Sequence, residues 1–181
     1  MPTDEKEIII LNRDTMALLV PSGRLIRVPK GTEVTISQSM GGTFTVVIYG
    51  NLARIGAQDA DSLGKQAENP LDKLPNNASI KDKVWAQLRT VFDPEIPVNI
   101  VDLGLVYICD IERVKDDAHR VLIQMTLTAP GCGMGPVLVE DIKLKILAVP
   151  EVSDIHVEIV LDPPWDRSMM SDTAKLQLGL F

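Results

Sequence analysis

The hydrophobic periodicity of this chain changes near residue 79, and that change constrains the fold more than any other feature. In residues 1–63, apolar and polar side chains alternate in short runs, as at Val34 and Ile36. From residue 80 onward, apolar residues recur first at helical spacing and then at strand spacing. Alternation is typical of half-buried strands, whereas recurrence at every third or fourth residue indicates a helix. The chain is therefore predicted to have two differently built parts.

Residues 1–63 are predicted to form a small all-β module. Gly50-Asn51 is a tight hairpin signal between two strand-like runs, and Gly41-Gly42 marks another turn. Residues 64–79 follow without a clear period and with two prolines, which is typical of a linker.

Residues 80–162 are predicted to form a compact α+β domain, followed by a tail, 163–181, with a short helix. The order of elements is helix, strand, strand, helix, strand and helix, the last lying in the tail. Ser79 has the features of an N-cap, with Asp82 in capping-box position. A strand–helix–strand step predicts that the second and third strands are parallel and that the helices cover one face of the sheet.

The overall charge and the cysteine count exclude several classes of function. A formal net charge of −7 and a pI of about 4.8 argue against nucleic-acid or anionic-membrane partners. No apolar run reaches the ~18 residues of a membrane span, and the acidic start does not resemble a signal peptide. Two cysteines do not make a disulfide framework, so we expect free thiols in a reducing cytoplasm.

Cys132 is the strongest candidate for chemistry. It lies between a strand-like run and a helix-like run, flanked by Gly131 and Gly133. Pro136 suits the first position of a helix, and backbone N–H groups at a helix start favour a thiolate. The thiol is therefore predicted to be exposed and acidified, as either catalysis or metal binding would require. Cys109 lies among apolar residues on one strand face and is predicted to belong to the core.

Two motifs lie within residues 80–162. The segment DPEIPVNIVDLGLVY occupies residues 93–107, and Thr126-x-Thr128-x-x-x-Cys132 follows it. Together they resemble the iron–sulfur cluster assembly (FSCA-like) domain family, whose proteins assist the maturation of iron–sulfur proteins. The N-terminal module, with GGTFTV at 41–46, and the tail with Trp165 look like the SufT-type branch of that family.

The resemblance implies a non-catalytic accessory factor with an FSCA-like fold. It implies that Cys132 handles iron or an iron–sulfur cluster transiently, with no tightly bound cofactor. The implied partners are the iron–sulfur assembly machinery and recipient apoproteins, with a homodimer as a further possibility. The residues implied to support Cys132 in the loop are Asp93, Glu95, Asp102, Thr128, Gly131 and Gly133.

Other roles for these residues stay open on the sequence alone. Asp93, Glu95 and Asp102 also fit a helix cap, a turn former and a solvated acid. A carboxylate close to the thiol would raise its pKa and so oppose the effect of the helix start. Two further functions remain as alternatives. One is a thiol enzyme with Cys132 as nucleophile, although only two histidines exist to serve as its base. The other is an adaptor that binds no metal.

Overall fold

A computed structural model of the chain describes residues 6–93, 96–131 and 133–180. Within these ranges, a six-stranded sheet precedes a three-stranded sheet that packs with α-helices. The predicted fold class, α+β with an all-β N-terminal part, is confirmed.

The N-terminal sheet is antiparallel, with strand order β1-β4-β5-β6-β2-β3. Its predicted hairpin is confirmed, one residue earlier than expected. The two turn residues are Tyr49 and Gly50, with φ of 50° and 79°, the left-handed pair that a tight hairpin requires. The strands are β1 Glu7–Ile10, β2 Thr15–Leu19, β3 Leu25–Val28, β4 Glu33–Met40, β5 Thr43–Ile48 and β6 Asn51–Ile55.

Two short 3₁₀ segments connect this sheet to the rest of the chain. Ala57–Leu63 follows β6 directly. Pro70–Lys73 lies in the predicted linker and is capped by Asn69, whose Oδ1 accepts from the Leu71 N–H at 3.1 Å. The predicted linker therefore packs against both hydrophobic cores. Ala67 contacts the N-terminal core, and Leu71 contacts the C-terminal core.

The C-terminal part has the predicted order of elements. Ser79 caps its first helix, accepting from the Asp82 N–H at 3.1 Å, and the capping box is complete. The second helix begins one residue before Pro136 and ends at Leu147. The elements are α1 Ile80–Leu88, β7 Val106–Lys115, β8 Ala118–Met125, α2 Gly135–Leu147, β9 Val152–Ile159 and α3 Asp172–Gln177.

The three strands of the C-terminal sheet pair as expected. β8 is antiparallel to β7 and parallel to β9. Alternate residues of β8, such as Val121, Ile123 and Met125, are buried. These side chains belong to one core with Leu138, Ile142 and other apolar residues of the helices. A separate core lies inside the N-terminal sheet.

The two sheets meet across α2. Arg54 of β6 pairs with Asp141 of α2, and the Lys145 ammonium donates to the backbone carbonyls of Gly41 and Thr90. Asp141 and Lys145 are both buried. Burial lowers the pKa of the Lys145 ammonium, while the Asp141 carboxylate opposes that shift.

Among the described residues, no helix is both long enough and apolar enough to cross a membrane.

A fragment of residues 76–181 is predicted to fold on its own, because its core draws almost entirely on residues after 80. Removing the N-terminal part exposes Asp141 and Lys145, which water solvates well. A fragment of residues 64–181, which keeps Leu71, is the matched control and should be slightly more stable. Thermal unfolding followed by circular dichroism checks this, and loss of a cooperative transition in both fragments would contradict it.

Candidate functional site

Three segments of the C-terminal part meet at one end of its sheet. Val106, Met125 and Ile159 lie side by side in register across β7, β8 and β9. The loop before β7, the loop after β8 and the tail after β9 therefore leave the sheet at the same end. We call these segments, residues 91–105, 126–134 and 160–171, the loop edge. Both sequence motifs lie within or next to the loop edge.

Backbone bonds continue the pairing into the loop edge. The Thr126 N–H donates to the Leu105 carbonyl at 2.8 Å, and the Val160 N–H donates to the Met125 carbonyl at 2.8 Å. The two motif loops are thus neighbours where they leave the sheet.

Asp93 closes the base of the first loop. Its carboxylate Oδ1 accepts from the Ile96 N–H at 2.9 Å, and its own N–H donates to the Val98 carbonyl at 3.2 Å. The side chain is buried, with the residue only 5% exposed. An aspartate that bonds backbone N–H groups a few residues ahead is turn chemistry. Pro94 and the candidate Glu95 lie outside the described residues.

Asp102 joins the first loop to the tail. Its Oδ2 accepts from the Asn99 amide at 2.7 Å, and its Oδ1 accepts from the Ser171 hydroxyl at 3.1 Å. The Ser171 hydroxyl in turn accepts from the Ala174 N–H at 3.1 Å and so caps α3. Both oxygens of Asp102 thus have structural partners, which favours an anchoring role; its part in function stays a prediction.

The tail packs over the first loop through further contacts. The Trp165 indole donates to the Leu103 carbonyl at 2.7 Å, and the Tyr107 hydroxyl donates to the Pro163 carbonyl at 2.8 Å. Gly104 has a φ of 76°, and a Cβ there would lie 2.3 Å from the Met169 carbonyl oxygen. Only glycine tolerates both that conformation and that approach. The tail therefore fixes the shape of the first loop.

Asn99 and Tyr107 belong to the 93–107 motif, but sequence reasoning did not name them as site residues. Asn99 organises the loop, since its Oδ1 also accepts from the backbone N–H groups of Val101 and Asp102. The signal available in the sequence was the pair Asn99 and Asp102, three residues apart in a loop rich in turn formers.

The second loop contains the candidate thiol. Cys132 itself lies outside the described residues, so its predicted exposure and acidity stay predictions. Its neighbours are described: Thr128 is half-buried, and Gly131 and Gly133 are exposed with open space around the position of a Cβ. Gly131 has a φ of 76°, which favours glycine.

The start of α2 lies directly after this loop, as predicted. Met134 is its N-cap residue, and Pro136 stands in the first turn, where its missing N–H costs nothing. The helix has 13 residues, so its N-terminal dipole is fully developed and would favour an anion nearby.

Cys109 is half-buried on β7 and packs against the C-terminal core, in agreement with the predicted structural role. Burial, with a smaller effect of the Asp110 carboxylate, raises the pKa of the Cys109 thiol to about 11. The thiol therefore stays protonated at neutral pH and is a poor nucleophile and metal ligand.

Among the residues that the structure describes, no three His, Cys, Asp or Glu side chains gather in a way that could hold a metal ion. Cys132 and Glu95 lie outside the described residues.

We predict that the two thiols differ in reactivity. Below pH 9, Cys132 should react with iodoacetamide in the native protein, and Cys109 only after denaturation, because the raised pKa leaves Cys109 protonated. Labelling of Cys109 should speed up as the pH rises toward about 11. Peptide mass spectrometry after timed labelling measures both rates, and fast native labelling of Cys109 with Cys132 protected would overturn both roles.

Comparison with known proteins assigns residues 81–159, which include both motif loops, to one protein family. The family model described as "Iron-sulfur cluster assembly protein" matches residues 81–159, which include both motifs. The chain is 42% identical over 102 residues to the Fe-S protein maturation auxiliary factor YitW of Bacillus subtilis (strain 168), covering 56% of this chain and 96% of that protein. It is 43% identical over 90 residues to the Fe-S protein maturation auxiliary factor SufT of Staphylococcus aureus (strain USA300), covering 50% of this chain and 98% of that protein.

Among solved structures, the crystal structure of the domain of unknown function DUF59 from Bacillus anthracis is 41% identical. The match covers 56% of this chain and 93% of the Bacillus anthracis chain, with a TM-score of 0.49. The chain belongs to the iron–sulfur cluster assembly protein family, of the SufT type. The N-terminal sheet lies outside the residues that the family model matches.

Proposed function

We propose that this chain is an auxiliary factor in the maturation of iron–sulfur proteins and has no catalytic turnover of its own. The observation that carries the proposal is the family match over residues 81–159 together with the placement of both motifs at the loop edge. The relatives from Bacillus subtilis and Staphylococcus aureus are named for this role. Proteins that act on assembly factors and recipient apoproteins need an exposed surface, and residues 129–131 and 161–164 of the loop edge are exposed.

Within this role, we assign to Cys132 the transient handling of iron or of a cluster as cargo. A thiolate is the ligand that iron–sulfur chemistry uses, and a glycine-flanked loop before a helix favours the ionised thiol. The proposed contribution of Gly131 and Gly133 is to keep that loop free of side chains and open, and that of the half-buried Thr128 is to hold the start of the loop. Asp93 and Asp102 hold the neighbouring loop in shape through the bonds described above.

The number of available ligands limits how a cluster could be held. An iron–sulfur cluster takes about four thiolates. Cys109 is half-buried with a raised pKa, which leaves one cysteine per chain for this purpose. A bound cluster would therefore draw its other ligands from a second copy of the chain, a partner protein or small thiols. Weak holding suits transfer, because the cargo must leave. We place the protein in the reducing cytoplasm, where its thiols stay free.

Anaerobic reconstitution with ferrous iron and sulfide tests the handling of cargo. With a small thiol present and without a desalting step, we expect the wild-type chain to show the visible absorption of retained iron and sulfide and the Cys132→Ser variant to show none. Equal retention by both would contradict the role of Cys132. If the wild type retains nothing but still restores maturation in cells, the adaptor without metal is the correct function. A covalent substrate adduct on Cys132 would instead establish the thiol enzyme.

A further inference from the structure

The N-terminal part of the chain contacts helix α2 at three points: its first turn, its middle and its C-terminal end. Near its C-terminal end, the Lys145 ammonium donates to the Thr90 carbonyl at 2.6 Å and to the Gly41 carbonyl at 3.3 Å. In its middle, the Asp141 carboxylate pairs with Arg54 of β6 at 3.4 Å. These side chains are largely removed from water: those of Arg54 and Asp141 are 14% and 8% exposed.

The third contact lies at the first turn of α2. Gly23, in the turn between β2 and β3, approaches Pro136 so closely that a Cβ on Gly23 would lie 3.1 Å from the Pro136 Cβ and 3.2 Å from its carbonyl carbon. Three residues lie between Cys132 and Pro136 along the chain. The first turn of α2 therefore follows the Cys132 loop directly along the chain.

The opposite face of α2 is fixed by its own domain. Leu138, Ile142 and Ile146 are fully buried in the C-terminal core. The helix is therefore contacted from both sides. The family model does not reach the N-terminal sheet, so this second support is an addition to the family domain.

We propose that the N-terminal sheet positions the Cys132 loop by holding the first turn of α2, with Gly23, Arg54 and Asp141 as the positioning residues. The proposal rests on the proposed function only because it takes Cys132 as the residue that handles the cargo. Its structural part concerns contacts between described residues and can be tested without any measurement of maturation.

The Leu138 amide is the reporter for the first turn. It donates to the Met134 carbonyl at 3.1 Å, so fraying of that turn increases its hydrogen exchange. Gly23→Ala adds one Cβ against Pro136, and Gly31→Ala is the matched control. Both glycines have positive φ, 71° and 87°, in turns of the same sheet, but a Cβ on Gly31 meets open space. We expect exchange at Leu138 to be about tenfold faster in Gly23→Ala than in Gly31→Ala.

A second pair of variants tests the ion pair. Arg54→Met removes the partner of Asp141, whereas Arg27→Met removes an exposed arginine that pairs with Asp14 inside the N-terminal sheet. We expect Arg54→Met, and not Arg27→Met, to increase exchange at Leu138 and to change the rate of Cys132 alkylation at fixed pH by about threefold. Equal exchange within each pair would overturn the proposal. Faster exchange at Leu138 together with full maturation activity would also overturn the proposal. That result would confirm the contact but show that Cys132 does not depend on it.

Discussion

Replacing Gly104 with alanine should destabilise the C-terminal domain by about 2–4 kcal/mol, of which the left-handed backbone accounts for about 1–2 and the steric clash for the rest. The added Cβ would lie 2.3 Å from the Met169 carbonyl oxygen, and that atom is backbone, so the tail must move as a whole. Moving the tail breaks the Trp165 bond to the Leu103 carbonyl and the bonds between Ser171 and Asp102. Urea unfolding followed by tryptophan fluorescence measures this loss, because both tryptophans lie in this part of the chain.

Gly179→Ala is the matched control for this variant. Gly179 also has a positive φ, 67°, and also lies in the tail, but a Cβ there meets nothing within 4 Å. Gly179→Ala should therefore lower the free energy of unfolding only through backbone strain, by about 1–2 kcal/mol. Equal losses of stability in Gly104→Ala and Gly179→Ala would show that the tail moves away from a Cβ at residue 104 without energetic cost. The tail would then not fix the shape of the first loop.

Cys132→Ser should abolish maturation function while leaving the melting temperature nearly unchanged. Serine is close to cysteine in size, and the predicted exposure of Cys132 implies a stability change within about 0.5 kcal/mol. The hydroxyl is a poor ligand for iron and does not ionise at neutral pH, so the chemistry is lost and the architecture is kept. Activity of an iron–sulfur enzyme in a strain that lacks this protein, complemented by each variant, gives the functional result.

Cys109→Ser controls for the loss of a thiol as such. It is half-buried against the core, so its replacement should lower stability by about 1 kcal/mol and leave complementation intact. Full complementation by Cys132→Ser would refute both the cargo and the nucleophile functions and leave the adaptor. A large fall in its melting temperature would show that Cys132 is buried and structural.

The order of elements was predictable because it depends on local patterns. Periodicity identified the strands and helices, and the caps at Ser79 and Ser171 follow from hydrogen bonds within four residues of the chain. The parallel pairing of β8 with β9 followed from the intervening helix. Each of these features is determined by neighbours that the sequence shows directly.

The contacts between distant segments were not predictable in the same way. Asp141 and Lys145 are polar residues of an amphipathic helix, and the pattern alone assigns them to water. Their burial depends on Arg54 and on the backbone carbonyls of Gly41 and Thr90. The partners of Asp102 likewise combine a near neighbour, Asn99, with a hydroxyl 69 residues away. No local pattern reports such a pairing, so the balance between structural and functional roles for the loop carboxylates stayed open.

The most direct test of the central claim is the specific activity of iron–sulfur enzymes in cells with and without this protein. In extracts prepared anaerobically, deletion should lower the activity of an iron–sulfur dehydratase severalfold while its polypeptide level stays constant. A metal-independent enzyme from the same extract should be unchanged, and a wild-type copy of the gene should restore the loss. Unchanged iron–sulfur enzyme activity in the deletion strain, under growth that demands these enzymes, would contradict the role of this chain in iron–sulfur protein maturation.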